Sequence, residues 1–115
     1  MSTPNRKTAL ITGATGGIGR SLVKVFHDAG YDVVATDLVA KPEALPCADY
    51  IRADLSRVAA DEAYAKAMFR GIAGCLGGHG LDALINNAAV QICGGADSLT
   101  RQAWNCTLEV NLLAP

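Results

Sequence analysis

No stretch of the chain is long and apolar enough to span a bilayer, so a membrane-embedded protein is not expected. The first residues, Met1-Ser2-Thr3-Pro4-Asn5-Arg6-Lys7, lead into an apolar run that Gly13 ends after a few positions, which does not resemble a secretory signal. Lysine and arginine never form a run and the formal net charge is only -1, so neither a nucleic-acid groove nor binding to an anionic membrane is indicated. Cys47, Cys75, Cys93 and Cys106 show no C-x-x-C pair and no zinc spacing, and no metal site is expected. Such cysteines read as small buried apolar residues of a reducing compartment, and the expected home is the cytoplasm. Internal repeats and low-complexity segments are absent as well.

What is present is a globular composition in a chain of 115 residues, enough for one small domain and too short for two. Short apolar runs alternate with amphipathic stretches. Thr8-Ala9-Leu10-Ile11-Thr12 reads as a buried strand that ends in a glycine-rich turn. Ile18, Leu22, Val25, Phe26 and Ala29 then recur at helical spacing, with Gly30 where a helix stop is expected. Tyr31 to Thr36 predicts the next strand, with Asp37 at its end. Lys41 to Pro46 holds two prolines and reads as a loop, and Asp49 to Ala53 as a third short strand. Ser56 is the expected N-cap of the longest helix, whose apolar face is Ala65, Met68, Phe69, Ile72 and Leu76. Gly71 and Gly74 should weaken that helix by about 1 kcal/mol each relative to alanine. Gly77-Gly78-His79-Gly80 ends it, Leu81 to Asn86 forms a fourth strand, and a last helix starts near Ser98 to Thr100. Strands and helices in alternation, with nearly continuous apolar strands, predict an α/β fold: a Rossmann-type, doubly wound parallel sheet of about four strands.

Chemistry concentrates in Thr12-Gly13-Ala14-Thr15-Gly16-Gly17-Ile18-Gly19, which lies where a strand turns into a helix. Glycines there allow a tight turn and let backbone N–H groups approach a pyrophosphate, and the helix N-terminus adds partial positive charge. Asp37 follows at the distance expected of a ribose-binding acid. Its carboxylate would accept from the adenosine 2′-OH and 3′-OH and repel a 2′-phosphate. Thr36 and Leu38 flank it, and no basic residue stands in the glycine loop, which favours NAD over NADP as the cofactor.

Taken together, Thr12-Gly13 through Gly17-Ile18-Gly19, Asp37, Asp54-Leu55, Asn86-Asn87-Ala88-Ala89 and Asn111 resemble the classical short-chain dehydrogenase/reductase family in order and spacing. The resemblance runs from about Lys7 to the last residue and covers somewhat less than half of a typical member. It implies that Gly13, Thr15, Gly17, Ile18, Gly19, Asp37, Leu38, Asp54, Leu55, Asn87 and Ala88 bind the cofactor. Asp54 would meet the adenine amino group while Leu55 packs on the ring. Read without that context, Asp54 is a turn or helix-start acid. Ala89 stands where the family has glycine, a mild departure. Asn111 is similar in placement to the family's catalytic asparagine, which props a helix kink and holds a water of the proton relay. Trp104, Leu108 and Asn111 share one helix face, where an amide needs a partner. Because Gly16 and Gly17 are both present, the octet also fits T-G-x-x-G-x-x-G, the pattern of extended relatives such as sugar epimerases and dehydratases. The Asn86-Asn87 pair favours the classical group.

Classical members carry a Tyr-x-x-x-Lys and an upstream serine for the chemistry. Here Ala35, Asp54 and Met68 stand four residues after Tyr31, Tyr50 and Tyr64, so that pattern does not occur. The chain therefore reads as the N-terminal part of a single NAD-binding domain, inactive alone. Its family reaction would move hydride between nicotinamide and a small alcohol or carbonyl substrate. The alternative is a non-catalytic nucleotide-binding or interaction module. Missing strands would leave the fourth strand as an open edge, so marginal stability or self-association through the last helix is expected, giving a homo-oligomer. Val90 to Asp97, with Gln91, Ile92 and Cys93, could form one wall of a substrate pocket.

Overall fold

β1 (Thr8–Thr12) is buried along its whole length, as a strand covered on both faces must be. β2 (Asp32–Asp37), β3 (Asp49–Arg52) and β4 (Ala83–Ile85) join it in one parallel sheet of spatial order β3-β2-β1-β4. Leu10 lies opposite both Val34 and Leu84, and Asp37 opposite Arg52. The computed structural model describes residues 6–92, 94–95 and 97–115; Cys93 and most of the N-terminal segment lie outside the described residues.

Alternating side chains build a core on each face of the sheet. Ile11, Val33 and Ala35 face α1 (Gly17–Asp28) and its Val23, while Leu10 and Val34 meet Met68 and Ile72 of α3 (Glu62–Leu76). β1 thus has β2 on one side and β4 on the other. Chain order reverses there, and the carboxyl ends of these strands open onto a crevice.

Three expectations are corrected. The inward face of α1 is Gly19, Leu22, Val23 and Phe26, whereas Ile18 and Val25 are 74% and 62% exposed. The close approach of Gly19 to Gly13 sets the rotation of the helix about its axis and turns this face inward. The long helix is two helices, α2 (Leu55–Ala60) and α3, and Ser56 caps neither. Asp54 caps α2 by accepting from Ser56 N–H at 3.0 Å, and Asp61 caps α3 by accepting from Ala63 and Tyr64 N–H. Asp61 adopts extended backbone at the junction, because its carboxylate competes for the N–H groups that a continuous helix would use. Ser56 Oγ instead donates to Glu109 Oε1 at 2.9 Å. Finally, Phe69 is 59% exposed, so the buried face of α3 is carried by Met68 and Ile72.

α4 (Arg101–Leu108) is capped by Thr100, whose hydroxyl accepts from Ala103 N–H at 3.0 Å, and it runs into a π-helical turn over Glu109–Leu113. The wider turn breaks simple helical spacing: Trp104 and Leu108 are 51% and 45% exposed, and Asn111 faces the loop after β4. Gly30 and Gly77 hold positive φ at the ends of α1 and α3, as their positions in the sequence predict. Cys47, Cys75 and Cys106 are free thiols, half-buried rather than fully buried. Among the described residues no helix is long and apolar enough to cross a membrane, and no group of metal-ligating side chains gathers.

Candidate functional site

The crevice is a cleft of about 510 Å³, a volume within the range of small-molecule sites. Its walls are the glycine loop and the first turn of α1, the ends of β2 and β3, and the segment after β4. Each wall is set in place by a specific contact.

Gly13 has φ +64, and a Cβ there would lie 2.8 Å from Ala88 Cα. Only glycine fits that crossing. Thr12 Oγ1 ties the two segments together: it accepts from Asn87 N–H at 3.1 Å and Ala88 N–H at 3.0 Å and donates to Ile85 C=O at 3.4 Å. The Asn87 amide returns the contact, donating to Thr12 C=O and Gly13 C=O at 3.2 and 3.1 Å. The loop and the end of β4 therefore form one rigid corner.

At the start of α1, Gly16 is the N-cap and no side chain caps the helix. The first N–H groups of the helix point past its end without intrahelical partners, and they lie beside Gly17, where a Cβ would meet nothing within 4 Å. This is room and polarity suited to a phosphate. The Thr36 side chain also lines the cleft, and its hydroxyl is buried without a partner in the protein.

Asp37 closes the far end. Its Oδ2 accepts from Thr15 N–H at 2.9 Å and Thr15 Oγ1 at 2.6 Å, and its Oδ1 from Leu38 N–H at 2.7 Å. Burial pushes the carboxyl pKa up, but hydrogen bonds from Thr15 and Leu38 outweigh it and hold the pKa below the ordinary carboxylate value. A carboxylate with a depressed folded-state pKa stabilises the fold above its unfolded pKa of about 3.9, and this contribution is lost as pH falls through the folded value. Asp37→Asn should therefore lose less stability than the unmodified chain as pH falls from the ordinary carboxylate range through the lower folded-state value. Equal losses in acid-melting curves would show that Asp37 carries none of the acid sensitivity.

Each expected cofactor residue lies on this cleft: Gly13, Thr15, Gly17, Ile18, Gly19, Asp37, Leu38, Asp54, Leu55, Asn87 and Ala88. Ile18 is exposed here because it stands at the cleft mouth rather than in the core. Asp54 combines its helix-cap role with a place on the wall, where Tyr64 OH accepts its N–H at 2.9 Å. Asn111 is beside the cleft and not on it. Its side-chain amide clamps Val90, with Oδ1 accepting from the N–H and Nδ2 donating to the C=O, both at 2.8 Å. Val90 and Val110 do line the cleft, so Asn111 acts on it through its neighbours.

None of the tyrosines reaches the cleft. Tyr50 donates to Val39 C=O, Tyr64 serves Asp54 and lies 4.2 Å beneath Arg57, and Tyr31 stacks edge-on against Phe26. Two basic neighbours of Asp37 are not evident from residue order. Arg20 Nε donates to Thr15 C=O and Arg52 Nε to Leu38 C=O, both at 2.9 Å. Arg20 is one helical turn beyond the loop and Arg52 comes from the neighbouring strand, opposite Asp37 in register. Only the strand pairing could have indicated Arg52.

Parallel strands in this order, with a glycine turn at the reversal of strand order, define a Rossmann-type nucleotide fold. The chain belongs to the short-chain dehydrogenase family, whose sequence pattern it matches over residues 7–115. It is 37% identical to L-xylulose reductase of Bos taurus over 114 residues, which cover 94% of this chain and 42% of that protein. It superposes with TM-score 0.80 on an oxidoreductase of the same family from Brucella ovis, crystallised with partially ordered NAD, at 30% identity, over 96% of this chain and 53% of that one. A metagenomic short-chain oxidoreductase in complex with NADP aligns at TM-score 0.74 and 30% identity, over 95% and 50% of the respective chains. The chain thus spans about half or less of the length of the relatives it matches.

Proposed function

We propose that residues 1–115 are the N-terminal, NAD-binding part of a single Rossmann domain in a short-chain oxidoreductase. The observation that carries this reading is the convergence of the uncapped start of α1, the Asp37 carboxylate and the Asp54-Leu55 pair on one cleft. In this reading Gly13, Thr15, Gly17, Ile18 and Gly19 bind the pyrophosphate side, and Asp37 and Leu38 hold the adenosine ribose. Asp54 and Leu55 meet the adenine, and Asn87 with Ala88 shapes the wall toward the nicotinamide.

Bound NAD supplies the hydride acceptor for a small alcohol, or in reduced form the donor for a carbonyl. The chain's own residues bind and orient. Asn111 is assigned to the catalytic machinery of the complete protein as a positioning residue, since its amide fixes the Val90 backbone at the cleft edge. The preference for NAD rests on Asp37, whose negative charge opposes a 2′-phosphate. A second reading, a nucleotide-binding module without turnover, is favoured for the 115-residue chain itself by the engagement of all three tyrosines away from the cleft.

Titration with NADH and NADPH, followed by ligand fluorescence and by melting, tests this. NADH is expected to bind more tightly, and at a hundred times its Kd it should add about 2.7 kcal/mol of stability. Binding of neither dinucleotide would remove the reading, and turnover of any alcohol by the purified chain would remove the second. Self-association through the last helix belongs to the same proposal. Trp104, Leu108, Leu112 and Leu113 stand 45–68% exposed there, more apolar surface than a lone helix face usually presents to water. Light scattering that shows a monomer at every concentration would retire it.

A further inference from the structure

No side chain of α4 is fully buried, and the π-helical turn that follows it buries only Val110. With so little apolar area covered, the position of this turn depends on its polar ties. The turn packs against α2, and the residues on either side of Val110 anchor it. Glu109 Oε1 accepts from Ser56 Oγ at 2.9 Å, and Asn111 grips the N–H and C=O of Val90 at 2.8 Å each. Residues two apart on a helical turn do not share a face, so the two anchors reach in different directions. Ser56 is itself fixed, because its N–H donates to Asp54 Oδ1 at 3.0 Å. Among the described residues no cationic side chain lies within ion-pair distance of Glu109, so the Ser56 hydroxyl is the contact that orients its carboxylate.

We infer that Ser56 and Glu109 are positioning residues: their hydrogen bond is a strut that seats the turn so that Asn111 can hold the Val90 edge of the cleft. Leu55, Val90 and Val110 line the cleft, whereas Ser56 and Glu109 stand behind it. The strut therefore joins the wall formed by Asp54 and Leu55 to the opposite edge at Val90, 34 residues further along the chain than Ser56. Its consequence for a ligand rests on the proposed nucleotide reading, but the strut itself can be tested with no ligand present.

Amide exchange at Val90, read by NMR, is the first measurement. Ser56→Ala should speed it about fivefold, since a hydrogen bond to a charged group is lost. Glu109→Ala breaks the same contact from the other side and should match it, which keeps the test available if one variant folds poorly. Ser56→Thr retains the donor and Glu109→Gln an acceptor, and both should restore the slow rate. The Ala63 N–H, held by the Asp61 cap at 3.0 Å, lies outside the strut and should keep its rate in every variant. Unchanged exchange at Val90 in both alanine variants overturns the inference, and so does an equal rise at Ala63.

The second measurement is NADH affinity in a double-mutant cycle. Ser56→Ala should weaken binding about fivefold and Asn111→Ala at least as much. Because Ser56 acts through Asn111, the double variant should bind no worse than Asn111→Ala alone. Additive losses would make Ser56 a separate part of the Asp54-Leu55 wall and overturn the inference. Failure of NADH to bind even the unmodified chain removes the dinucleotide reading, and exchange at Val90 then decides the strut by itself.

Discussion

Thr12→Val should destabilise the chain by about 2 kcal/mol even though it changes almost no volume, because it strands the Ala88 N–H and takes one of two acceptors from the Asn87 N–H, which also donates to Ile85 C=O at 3.0 Å. Thr12 is 5% exposed, and its hydroxyl accepts from both Asn87 and Ala88 while donating to Ile85. Valine fills the same space with a methyl group that accepts nothing. Each buried donor left without a partner costs roughly 1–3 kcal/mol, and partial access of water to the corner keeps the sum toward the middle of the range. The loss should fall on the joint between the glycine loop and the end of β4, so dinucleotide affinity should drop along with stability. Thr12→Ser keeps the hydroxyl and should recover most of both. Denaturant unfolding checks the figure: a valine variant within about 0.5 kcal/mol of the unmodified chain would show that water replaces the hydroxyl freely.

Gly19→Ala is expected to be still more damaging. A Cβ at Gly19 would lie 1.9 Å from Gly13 O, 2.8 Å from Gly13 C and 2.9 Å from Ala14 Cα. All three are backbone atoms, so no side chain can swing aside. Either α1 slides away from the loop or the turn at Gly13 opens. Overpacking of this kind costs about 1–3 kcal/mol when side chains can adjust, and a backbone clash belongs at or above the top of that range. Displacing the start of α1 should also weaken NADH binding, because the uncapped N–H groups would no longer aim at the ligand. Gly17→Ala is the matching control. Its Cβ meets nothing within 4 Å, so folding should survive. If Gly19→Ala melts like the Gly17 variant, the two glycines are not in the contact described.

Much of the site is legible from residue order alone, for identifiable reasons. A glycine run between an apolar strand and an amphipathic segment marks a tight turn at a helix start, and its members converge on the cleft as that context predicts. Asp37 is legible because a strand of known length carries its last residue to a known end of the sheet. Asp54 is ambiguous in the sequence between helix cap and cleft wall, and in the structure it is both. The break between α2 and α3 is hidden in the sequence, because the apolar spacing around Asp61 suits a continuous helix and masks its capping carboxylate.

Local periodicity and glycine placement are short-range properties, so residue order alone gives the alternation of strands with helical stretches, the glycine turn and the acid at the end of β2. The rotation of α1, the hub at Thr12, the tether of Asn111 to Val90 and the arginines around Asp37 depend on residues far apart in the chain or on packing between elements. Those were decided only by tertiary structure, because strand register and backbone contact bring such groups together and no spacing in the sequence encodes the distance between them.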